Sequence, residues 1–163
     1  MIETARQRLI FALDVDSCEA AETWATQLQG KVGLFKVGKQ LFTRCGPDIV
    51  RRIQKRGGEV FLDLKYHDIP TTVARAAVEA CRLGVRMVNL HALGGPAMMD
   101  QTVKAVAACC AEENLRRPLL LAVTVLTSTE TSGGTVTRRR RGRMRQRLRR
   151  LRCSIRRVPS RSS

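Results

Sequence analysis

The sequence predicts an α/β fold, a parallel sheet whose strands are joined by helices. Three observations carry that prediction. Short, near-continuous apolar runs recur five times between residues 9 and 125, as in strands buried on both faces. Amphipathic stretches lie between them, opening at Ser17, Pro47, Pro70 and Pro96 and closing at Gly or Asn. No Gly-x-Gly-x-x-Gly follows the first run, so an open dinucleotide-binding sheet is a poorer fit than the (β/α)8, or TIM-barrel, type.

Taken in order, Leu9–Leu13 reads as the first strand, and Ser17 as the N-cap of a helix that stops at Gly30. Val32–Val37 is the second strand, and a helix opened by Pro47 ends at Gly57-Gly58. Glu59–Leu64 is the third strand. Pro70 sits where the first turn of a helix tolerates proline, and that helix runs to Gly84. Met87–Leu90 is the fourth strand, followed by a helix from Pro96 to about Asn114. Leu119–Val125 is the fifth strand. Five strands alternating with four helices are expected, an incomplete barrel rather than a closed one.

Charge divides the chain sharply. All 14 acidic residues lie at or before Glu130, while 13 of the 30 Lys and Arg follow it, every one an Arg. Residues 1–130 therefore carry +3 and residues 131–163 carry +13. The first part reads as a near-neutral globular domain, a partial (β/α) barrel, and the second as an appended Arg-rich segment, irregular or disordered. Leu148, Leu151 and Ile155 are nonetheless spaced for a short basic helix. A polycation of this kind binds nucleic acid non-specifically through counterion release. Its acid-free, Arg-rich composition also matches an out-of-frame reading of a GC-rich gene. No apolar stretch reaches the ~18 residues of a membrane span, and no secretory signal is seen, so a cytoplasmic protein is expected. The six cysteines form no CxxC pair and have no His at metal spacing, so free, reduced, structural thiols are expected.

Polar residues follow the apolar runs at each carboxyl end: Asp14, Lys36, Asp63 with Lys65, His91, and Thr124 with Thr127. In a (β/α)8 barrel that rim is where chemistry is done. One polar residue at a strand end is usually an ordinary loop start, and His91 alone is as readily structural as functional. Asp63 and Lys65 are harder to dismiss. Strand alternation puts them on one face, and Asp68 follows where a loop can return it to the same place. Neighbouring carboxylates and ammonium groups hold each other ionised, which suits a proton donor set beside a repelling negative charge.

The segment Asp63-Leu64-Lys65-Tyr66-His67-Asp68-Ile69-Pro70-Thr71-Thr72 resembles the signature of the orotidine 5′-phosphate decarboxylase family. Phe11–Asp14, Gly33–Gly38, His91–Gly95 and Ala122–Ser128 resemble that family in order and spacing, so the likeness covers about residues 8–128. Asp-x-Lys-x-x-Asp alone is shared with sugar-phosphate barrels such as 3-keto-gulonate phosphate decarboxylase. Ile69–Thr72 and Thr124–Ser128 narrow it to the orotidylate branch. The resemblance implies a carboxy-lyase of pyrimidine biosynthesis that converts orotidine 5′-phosphate to UMP without a cofactor or metal. It implies Lys65 as proton donor, Asp63 against the substrate carboxylate, and Lys36 completing the charge network. It also implies a homodimer in which Asp68 serves the partner's site. Asp14 would contact the ribose side, and Thr72 and Thr127 ribose or pyrimidine groups.

The family pattern ends near Ser128, three strands short of a barrel, and the late Gly-rich turn and Arg that grip phosphate have no counterpart. Open sheet edges, and with them poor stability or a need for partners, are therefore expected. Two alternatives stand beside the decarboxylase. One is a sugar-phosphate decarboxylase or aldolase of the same barrel group. The other is a polyanion-binding protein acting through the Arg-rich segment.

Overall fold

The computed structural model describes residues 5–124. Five parallel strands form one sheet in sequence order: β1 (Ile10–Ala12), β2 (Leu34–Gly38), β3 (Val60–Tyr66), β4 (Met87–His91) and β5 (Leu119–Val123). Each strand pairs with the next, with no reversal of order. That is the geometry of successive β/α units in a barrel wall, in contrast to a doubly wound sheet.

Five α-helices connect the strands: α1 (Cys18–Gln27), α2 (Lys39–Cys45), α3 (Asp48–Lys55), α4 (Pro70–Arg82) and α5 (Gly95–Glu112). Ser17 caps α1 as predicted, its side chain accepting a hydrogen bond from the Ala20 N–H at 3.0 Å. Pro70 stands in the first turn of α4 and Pro96 in that of α5. The expectation of four helices is corrected by α2. This seven-residue helix leaves β2 directly at Gly38, with no side-chain cap, so no start signal marks it in the sequence.

Val37, Leu62 and Val88 from the sheet, with Leu13 just after β1, pack with Ala21, Ile49 and Ile53 from α1 and α3 in the main core, all at most 1 % exposed. A second cluster joins Ala77 and Cys81 of α4 to Val106 and Cys110 of α5. The described sheet has two edges, β1 and β5, and both carry exposed apolar side chains: Ile10, Leu119 and Leu121.

One expectation about cysteine is overturned. Cys18 and Cys45 form a disulfide with their Cα atoms 6.0 Å apart. They are 27 residues apart in sequence, so spacing gave no hint of the pair. The fold brings the start of α1 beside the end of α2, within bridging distance. Cys81, Cys109 and Cys110 are free and buried, as expected of structural thiols. Burial, with Cys110 close by, pushes the Cys81 thiol up to about 12. Cys153, Thr127 and the whole Arg-rich segment lie outside the described residues. No helix among the described residues is long and apolar enough to cross a membrane.

Candidate active site

The charged cluster forms where β2, β3 and β4 run side by side. In the β2–β3 register Gly38 stands opposite Asp63 and Lys36 opposite Phe61. Lys36 thus reaches Asp63 along the diagonal, a distance a long side chain spans. Its Nζ lies 3.1 Å from Asp63 Oδ2. Lys65 Nζ lies 2.6 Å from Asp63 Oδ1. Gly38 has no side chain to fill the space beside Asp63, and a Cβ there would come within 4.0 Å of Asp14 Oδ1.

Asp63 and Lys65 meet as predicted, though not across a regular pleat. The β3–β4 ladder shifts between Leu62 and Tyr66: Leu62 pairs with Val88 and Tyr66 with Leu90, so β3 holds two residues more than β4 over this stretch. Lys65 has φ of +52°, a left-handed conformation that costs a side-chain-bearing residue energy and persists only when its surroundings enforce it.

Asn89 sits opposite the irregularity. Its Oδ1 accepts the Lys65 backbone N–H at 2.7 Å, and its Nδ2 donates to Asp63 Oδ1 at 2.6 Å. Asn89 is 3 % exposed. Sequence reasoning passed over it, although an amide within the apolar run Met-Val-Asn-Leu is a visible anomaly: a buried amide requires partners.

Asp63 is itself buried. Burial alone would raise its pKa, but hydrogen bonds from Lys65, Asn89 and Lys36, with the Lys36 charge, outweigh it and hold the carboxyl below its ordinary range. A buried carboxylate therefore stays ionised between two ammonium groups.

A cleft of about 250 Å³ opens over this cluster, lined by Asp14, Lys36, Lys39, Gln40, Asp63 and Lys65 among others. Four of the predicted residues, Asp14, Lys36, Asp63 and Lys65, thus converge on one space. Asp68 and Thr72 do not line it. Asp68 is exposed, its carboxylate accepting the Ile69 N–H at 2.6 Å, and Thr72 is exposed on the first turn of α4. His91 ends β4 with its ring 5.3 Å from that of His67, and its Nδ1 is buried without a hydrogen-bond partner. Burial, then the His67, Lys39 and Lys65 charges, pull its pKa down. Among the described residues no group of three His, Cys, Asp or Glu side chains could hold a metal ion.

A sequential parallel β/α wall, with a buried carboxylate between two part-exposed lysines at its cleft, defines a protein of the β/α-barrel type. The sequence matches the Orotidine 5′-phosphate decarboxylase / HUMPS family over residues 7–148, and the chain belongs to that family. The orotidine 5′-phosphate decarboxylase of Syntrophotalea carbinolica is 65 % identical over 127 residues, covering 78 % of this chain and 52 % of that protein. That of Geobacter sulfurreducens is 57 % identical over 125 residues, covering 77 % and 52 %. The crystal structure of orotidine 5′-phosphate decarboxylase from Lactobacillus acidophilus is 37 % identical with a TM-score of 0.67, covering 75 % of this chain and 55 % of that one. The chain spans about half the length of the curated relatives it matches.

Proposed function

We propose that this chain carries the charge array that converts orotidine 5′-phosphate to UMP and carbon dioxide. The observation that carries this reading is the buried, ionised Asp63 held between Lys36 and Lys65 at the floor of the cleft. The relatives named above bear the same activity in their names. The sugar-phosphate alternative has no comparable support.

Loss of carbon dioxide breaks the C6–carboxylate bond and leaves its electron pair on C6. Asp63 set against the substrate carboxylate repels it, and that repulsion is relieved as neutral carbon dioxide departs. The Lys65 ammonium, already at the site, stabilises the growing negative charge without reorganisation and then gives C6 its proton. The amine left behind recovers a proton from water. Because Asp63 is held ionised, it does not compete for the Lys65 proton. The cleft is smaller than the roughly 300–1,000 Å³ usual for ligand pockets, which suits the pyrimidine end of the nucleotide, where charge changes. Remote binding energy is then expected from the phosphate end.

Asp14 is assigned to the ribose side, where its carboxylate borders the cleft, and Thr72 and Thr127 to ribose or pyrimidine groups. Asp68, exposed and absent from its own cleft, is assigned to the site of a second copy in a homodimer. The catalytic domain is read as residues 1–130. The segment 131–163 is assigned only non-specific polyanion binding, and a salt-dependent interaction with RNA that disappears on deleting it would test that. A spectrophotometric assay of the full chain on orotidine 5′-phosphate, with Lys65→Ala as control, tests the activity. Turnover lost in the control supports the reading; no turnover by the wild-type chain defeats it.

A further inference from the structure

We infer that Asn89 is a positioning residue, whose single buried amide fixes both the backbone of Lys65 and the orientation of Asp63. The inference deepens the decarboxylase reading, and its kinetic part rests on that reading. Over the irregular stretch of β3, residues 63–65 have no ladder partners in β4, because Leu62 pairs with Val88 and Tyr66 with Leu90. Asn89 lies between those two β4 residues and supplies the missing partner from its side chain. Its carbonyl takes the Lys65 N–H (2.7 Å) and its amino group meets Asp63 Oδ1 (2.6 Å).

The amide has one orientation available. Lys65 N–H can only donate, so the Asn89 oxygen must face it, and the NH2 is thereby turned to Asp63. Asp63 then divides its oxygens, Oδ1 to Lys65 and Asn89 and Oδ2 to Lys36. Without the amide, the left-handed backbone at Lys65 loses the acceptor of its N–H, and strain of this kind relaxes when its support is removed. Relaxation would carry the Lys65 ammonium away from the reacting carbon. Asparagine is the side chain the position needs. Aspartate would match its shape and accept from Lys65, but would set a second carboxylate against Asp63.

The test uses the full chain and its Asn89→Ala and Asn89→Asp variants, with circular dichroism to verify folding. In Asn89→Ala, kcat should fall about a hundredfold, the scale of a misplaced catalytic group, with KM changed less than about threefold. In Asn89→Asp, the acid limb of the kcat profile should move to higher pH. The Asp63 carboxyl, followed by carbon-13 NMR, should titrate at higher pH too, because two adjacent carboxylates resist joint ionisation. A measurement on the wild-type chain needs no variant to fold: the Asn89 side-chain amide resonances should titrate together with the Asp63 carboxyl. Folded variants with unchanged kcat and an unchanged Asp63 titration would overturn the inference. So would wild-type Asn89 amide resonances that ignore Asp63. Coupled wild-type titrations in a chain that does not turn over orotidine 5′-phosphate would uphold the positioning role and refute the activity.

Discussion

Strand β3 is flanked by charge at both ends, and the two ends use it differently. Just before the strand, Glu59 pairs with Arg86 at 3.6 Å and with Arg116, all in contact with solvent. From its midpoint toward its far end, Asp63 and Lys65 form the second cluster, where Asp63 pairs with Lys36 and Lys65 while nearly all of its own side chain is out of water. The chemistry is the same, a carboxylate between two cations. At the exposed end water competes for every contact, so the pairs contribute little and specify little. At the buried end a broken contact leaves a desolvated charge, so geometry is strictly enforced. Asn89 completes that enforcement, and among the described residues Glu59 has no equivalent. Burial and a third partner, rather than the number of charges, separate a geometrically fixed array from a surface ion pair.

The contrast can be tested most severely at Lys65. Lys65→Ala should lower kcat by about a thousandfold or more while the chain stays folded, since a general acid contributes roughly two to four powers of ten. Retained turnover would erase the functional difference between the two ends. The bridge between Cys18 and Cys45 offers a second perturbation, because it ties α1 to α2, and Lys39 and Gln40 of α2 line the cleft. Reduction should cost about 3.5 kcal/mol in the chain-entropy account of disulfides, read as a lower thermal midpoint in dithiothreitol than without it. Alkylation in denaturant should label two more cysteines after reduction than before.

Asp63→Asn should cost about 2 kcal/mol at neutral pH, because both ammonium groups lose a charged partner in a half-buried setting. The sign with pH follows from the depressed carboxyl. Its stabilisation is complete above the unfolded value of about 3.9 and is lost as pH falls below that toward the folded value. Denaturant midpoints of wild type and variant should therefore converge in acid. At the other end, Glu59→Gln should change stability by no more than about 0.5 kcal/mol, an effect erased by salt and without influence on kcat. A larger loss there would show that exposure does not separate the two clusters.

Much of the architecture was legible along the chain because it is written in local patterns. Apolar runs marked the five strands, Ser17 and Pro70 marked helix starts, and polar residues after the runs marked the rim. Helix α2 was illegible because it begins without a cap and is only seven residues long. In the site, Asp14, Lys36, Asp63 and Lys65 were legible because charge on an apolar strand is conspicuous. Asn89 was not, because its role depends on the register of β4 against β3. The Cys18–Cys45 bridge depends in the same way on how α1 meets α2.

By itself, then, the sequence determined the order of β and α units, their parallel arrangement and the charged residue types at the cleft. Those are properties of periodicity and of residue chemistry, which neighbours along the chain suffice to express. The tertiary structure alone decided the ladder shift at Lys65, the amide that supports it, the disulfide, and the placing of Asp68 and Thr72 outside the cleft. Each of these depends on which side chains from distant segments come within a few ångströms, and close-packed interiors favour arrangements that satisfy nearly all buried polar groups together.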